Sequence, residues 1–144
     1  MSRFLTRFAL AGSGAILGLI GGALVVSPQA FLKSSGVMVE REPGLMSELT
    51  APAGVLLMTG ALMISGAVRL RFANAGLTAG AIVYGTYGAG RLVSMMLHGM
   101  PPQSLIIATL IEFGIAAVLA VLRMNSAPDT REQQAGRSFR DATV

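Results

Sequence analysis

Four apolar stretches, residues 8–26, 49–68, 72–97 and 105–122, take up more than half of a 144-residue chain. A helix of about 20 residues spans a hydrocarbon core of about 30 Å. Nothing in that core solvates a backbone N–H or C=O, so the chain must satisfy both internally. The fold class that follows is all-α. The expected architecture is an integral membrane bundle of four antiparallel helices over residues 1–122, with a disordered polar tail over 123–144. Only 12% of the residues are charged, about half the usual share for a soluble domain.

The connections set the topology. Residues 27–48 form the longest, punctuated by Pro28, Gly36, Pro43 and Gly44. Phe31, Leu32, Val37, Met38 and Val39 suit a segment lying on the membrane surface. Pro52 is expected in the first turn of the second span, where its missing N–H costs nothing. Thr50 or Ser47 is expected as cap, with Glu48 at the helix mouth. Arg69-Leu70-Arg71 is too short for anything but a turn between antiparallel neighbours. His98-Gly-Met-Pro-Pro-Gln-Ser104 breaks the helix before the fourth span.

A cleaved signal peptide fits the first stretch less well. The apolar run is long for a signal core, and a cut after Ala30 would put Pro28 where a small residue is wanted. Arg3, Arg7, Arg69, Arg71, Arg123, Arg131, Arg137 and Arg140 fall on one side of the four crossings. Lys33 and Arg41 fall on the other, among Glu40, Glu42 and Glu48. This bias places both termini in the cytoplasm and the spans in a cytoplasmic membrane. The net charge of +4 is therefore a topology signal. Nucleic acid is not an expected partner, because the basic residues form no stripe interleaved with aromatics.

One span is not uniformly apolar. At helical spacing, Tyr84, Tyr87, Arg91, Ser94 and His98 share a face. Lipid cannot solvate that face, so it should turn toward other helices or water. Arg91 lies seven positions before His98, and Glu112 seven after Leu105. Both therefore sit roughly 10 Å below the same boundary, on spans joined by a short turn. A charge at a helix centre costs about 2.5–3.5 kcal/mol on insertion scales, which pairing relieves. The expectation is a buried polar cluster of Glu48, Arg91 and Glu112, with Tyr84, Tyr87 and Ser94 as hydroxyl partners and His98 on the same face. Such a cluster either sets helix register or lines a pocket for a quinone, a lipid or a protonatable solute. Small residues at Gly14, Gly18 and Gly22, and at Ala116 and Ala120, are expected to mark close helix contacts.

No metal or cofactor is expected. The chain has no cysteine and one histidine, His98, which reads as a boundary imidazole rather than a haem or chlorin ligand. Met58, Met63, Met95 and Met96 read as packing. Ser94 and His98 lack a nearby carboxylate for a triad. Gly12, Gly14 and Gly18 lie inside an apolar run, not in a phosphate-binding loop.

Ser27-Pro-Gln-Ala-Phe31 follows the first span, Glu48-Leu49 opens the second, and Gly90-Arg-Leu-Val-Ser94 with Gly99 closes the third. With Glu112 in the fourth, these residues resemble a bacterial family of small four-span membrane proteins, the domain-of-unknown-function family 4345. The resemblance runs from about Phe8 to Leu122. Thr50 and His98 stand where the family pattern carries an arginine and an acid, so a polar site shared with the family is altered here. The resemblance implies architecture and no activity.

The functional expectation is a non-enzymatic accessory or assembly subunit, with the bilayer and other membrane-protein subunits as partners. The alternative is a binder or carrier of a quinone, lipid or protonatable solute at the Glu48–Arg91–Glu112 cluster.

Overall fold

A computed structural model describes residues 3–126. Among these it is all-helical: α1 (Arg3–Val26), α2 (Pro28–Ser34), α3 (Pro43–Val68), α4 (Ala73–His98) and α5 (Gln103–Met124), with a 3₁₀ turn over Leu70–Phe72. The expected polar tail lies, beyond Ser126, outside the described residues. Arg123 and Met124, assigned to that tail on sequence, instead complete α5.

The helix ends follow local chemistry. Pro43, not Pro52, occupies the first turn of α3, so this helix begins six residues earlier than expected. Its N-cap is Glu42, with no side-chain capping bond, rather than Ser47 or Thr50. Pro52 lies inside the helix and deprives the Glu48 carbonyl of its donor four residues on. Gly99 ends α4 at φ +88°, a conformation that glycine adopts without strain.

Three helices, α1, α3 and α5, are long and apolar enough to cross a membrane, which points to a membrane protein. The 26-residue α4 is long enough but less apolar. It carries Asn74, Thr78, Thr86, Arg91 and Ser94 among its 26 residues. Large apolar side chains such as Leu19, Met58, Ile82 and Leu110 are exposed, as lipid-facing residues would be.

Packed neighbours meet in opposite residue order. Gly14 faces Gly60 and Met63, while Gly21 faces Ala53 and Leu56. On α4, Gly88 abuts the Phe113 ring, Gly85 faces Ala116, and Gly80 meets Leu119. The buried face of α1 runs Leu10, Gly14, Leu17, Gly21, Leu24, alternating steps of four and three. That alternation stays on one face, whereas steps of four alone drift by about 40° each. This is why Gly18 and Gly22 are not the expected packing face: a Cβ on either would meet nothing within 4 Å. Gly18 contributes only its backbone, which lies against Gly60. Ala120 is half-buried on α5.

The tightest packing lies at the end that carries Arg3, Arg7, Arg69, Arg71 and Arg123. Leu10, Met63, Leu77, Leu119 and Leu122 are buried there. A Cβ on Gly80 would lie 2.7 Å from Met63 Cε and 2.9 Å from Leu119 Cδ1. Arg123 Nε adds a 3.2 Å hydrogen bond to Thr78 Oγ1 across α5 and α4. Toward the opposite end, between Thr109 and Leu119, no residue of α5 is fully buried.

Candidate functional site

A cavity of about 520 Å³ lies in the half of the molecule near α2. Its walls are mainly apolar: Leu17 and Ile20 from α1, Phe31 and Leu32 from α2, Leu49 and Leu56 from α3, Ile111 and Ile115 from α5. The polar side chains come mostly from α4, which contributes Tyr84, Tyr87 and Arg91, and from α5, which contributes Glu112.

Arg91 Nε donates to both carboxylate oxygens of Glu112, at 3.2 Å to Oε1 and 3.1 Å to Oε2. The side chains retain 32% and 14% exposure. Equal distance from the α4–α5 turn brings the two charges level, and the small residue Gly88 lets α5 seat Phe113 directly on α4 one turn away. Tyr84, 3% exposed, lies on the same face as Arg91, about two helical turns away. Its hydroxyl donates instead to the Ser13 carbonyl at 2.8 Å, tying α4 to α1. Tyr87 is half-buried and forms no hydrogen bond with the described residues.

Three residues of the expected cluster are elsewhere. Glu48 is exposed and forms no ion pair among the described residues. Its helix, α3, packs on α1 and α4 but has no close approach to α5, and Arg91 is turned toward α5. Ser94 is exposed and borders a shallow depression with Thr86, Tyr87, Gly90 and Arg91, outside the cavity. His98 is the exposed last residue of α4. No group of three or more metal-ligating side chains occurs among the described residues.

Sequence reasoning missed the cover. Of the segment expected to lie on the membrane surface, only the part with Phe31 and Leu32 folds as α2, and these two residues close one wall of the cavity, while residues 37–39 are not helical. Ser104 Oγ donates to the Ser35 carbonyl at 2.7 Å, and Gly36 lies against Pro102. These contacts fasten the end of α2 to the start of α5. The usable signal was Pro28 as a helix-starting residue after Ser27. Pro52 was also missed as a wall residue, because it was assigned to a helix end.

The family model described as a domain of unknown function, DUF4345, matches residues 5–123. The chain belongs to the DUF4345 family. No curated protein and no solved structure matches it. The DUF4345 match takes in all five helices almost completely, so the cavity, its α2 cover and the Arg91–Glu112 pair all belong to the family's domain.

Proposed function

We propose that this DUF4345 protein binds or carries a lipophilic small molecule within a bacterial cytoplasmic membrane. It does so as an antiparallel bundle of four spans, α1, α3, α4 and α5. The carrying observation is a cavity of about 520 Å³ with apolar walls and one ion pair. Ligand sites commonly measure about 300–1,000 Å³ and combine apolar walls with a few oriented polar groups. A quinone or a lipid has the matching division into an apolar body and a polar end. The role is non-enzymatic.

Native mass spectrometry of protein extracted in mild detergent tests this. The wild type is expected to retain an adduct of lipid-like mass. Ala108→Phe, which fills the cavity from α5, is expected to lose the adduct and keep its thermal midpoint. A wild type free of adducts, even after incubation with a total lipid extract, would overturn the reading.

For topology, we propose that the end carrying Arg3, Arg7, Arg69, Arg71 and Arg123 is cytoplasmic, following the excess of arginine there. The chain has no cysteine, so single cysteines report cleanly. On intact cells, a membrane-impermeant maleimide should label Lys33→Cys, whereas Arg69→Cys should react only after lysis. The reverse pattern would invert the protein in the membrane.

An accessory or assembly subunit is the second reading. It draws on the open space over Gly18 and Gly22 on α1, where a helix of another subunit fits closely. Lipid fills the same space, so the cavity carries more weight.

A further inference from the structure

We infer that the cavity selects a neutral lipophile whose polar end is a carbonyl, held by the terminal amino groups of Arg91 and by the Tyr87 hydroxyl. This inference rests on the cavity being a binding site, and it specifies the chemistry of the ligand.

The first support is the geometry of the ion pair. Arginine commonly grips a carboxylate with two parallel N–H donors. Here Nε alone serves both Glu112 oxygens. Both terminal nitrogens of Arg91 are left without an acceptor among the described residues, although the side chain is 32% exposed.

The second support is the disposition of the other polar side chains on the wall. Tyr84 is committed to the Ser13 carbonyl, and Ser104 to the Ser35 carbonyl. Tyr87, which lines both the cavity and the adjoining depression, forms no hydrogen bond among the described residues. The Ser35 hydroxyl also lines the cavity without a partner among the described residues. It and the Tyr87 hydroxyl can donate or accept, whereas the Arg91 terminal nitrogens only donate, so a ligand acceptor is the group that all of them can serve. A site built to hydrogen-bond a ligand group discriminates strongly against analogues that lack it.

The third support is charge. Arg91 and Glu112 neutralise each other, and no other charged side chain lines the cavity. An anion drawn to the guanidinium would also approach the Glu112 carboxylate. Either sign of ligand charge would lose its hydration without a net counter-charge. A carbonyl keeps the hydrogen bond and avoids that loss. An ester or a quinone would supply it.

Five probes test this: methyl dodecanoate, dodecanoate, dodecylamine, dodecane and a decyl-benzoquinone. The chain has two tyrosines and no tryptophan, and both tyrosines line the cavity. Tyrosine fluorescence therefore reports the four aliphatic probes, and a thermal shift reports the quinone.

Methyl dodecanoate or the quinone is expected to bind at least tenfold more tightly than dodecanoate, dodecylamine or dodecane. Whichever carbonyl probe binds more tightly identifies the source. In Arg91→Leu/Glu112→Leu, and more weakly in Tyr87→Phe, the carbonyl advantage over dodecane should disappear. Tighter binding of a charged probe overturns this inference and leaves the cavity as a site. Equal binding of dodecane and the ester overturns it in the same way. Failure of all five probes overturns the binding function itself.

Discussion

Gly60→Ala is expected to destabilise the protein by about 1–3 kcal/mol, the range for forcing extra volume into a close-packed contact. The added Cβ would lie 2.7 Å from the Gly14 carbonyl oxygen and 3.0 Å from the Gly18 nitrogen. Both are backbone atoms of α1, so no side chain can turn aside, and α1 must move away from α3 as a unit. That movement would also loosen Gly14 against Met63 and Gly21 against Ala53. Gly22→Ala is the control, because its Cβ meets nothing within 4 Å. Thermal unfolding in detergent, followed by loss of helical signal, should lower the midpoint of Gly60→Ala and spare that of Gly22→Ala. Equal midpoints would refute the assignment of the α1–α3 contact.

Glu112→Leu is expected to cost about 2 kcal/mol, and Arg91→Leu/Glu112→Leu to recover most of it. Removing one partner of a buried pair leaves the other without compensation, whereas replacing both by apolar residues is often neutral. The cost falls below the 3–5 kcal/mol of a fully buried pair, because Arg91 keeps a third of its surface open and can extend toward the boundary. A double-mutant cycle on thermal or denaturant unfolding measures the coupling. If the double variant is as unstable as the sum of the two single ones, the pair does not act as a unit. Recovery of the fold without recovery of carbonyl binding would separate the structural role of the pair from its role in the cavity.

The helices were legible because each is governed by local chemistry. Length and apolarity mark α1, α3 and α5, and Gly99 with Pro101 and Pro102 marks the break between α4 and α5. Less legible was α2, a seven-residue helix too short to show a period and recognisable only from Pro28. The start of α3 was misplaced because two prolines, Pro43 and Pro52, both suit a first turn. The choice between them depends on whether Leu45, Met46 and Leu49 gain enough from packing to extend the helix.

The candidate site divides in the same way. Arg91 and Glu112 stand level because rise per residue converts sequence separation from a shared turn into depth. Glu48 shares the end of the bundle but not the pair, since depth does not determine which helices adjoin. Tyr84 shares a face with Arg91 at helical spacing, yet its hydroxyl reaches α1, as a face about 100° wide can address two neighbours.

The order of residues alone determined that this chain forms long helices, that α4 carries polar groups along an otherwise apolar helix, and which connections gather arginine. Tertiary structure decided that Gly14 and Gly21 make the close contact, that α2 covers one end, and that a cavity stays open beside Arg91. Those outcomes depend on how far each helix is rotated and which helices adjoin. Both are set jointly by volumes on different helices, such as Gly80 against Met63 and Leu119, which no local pattern contains.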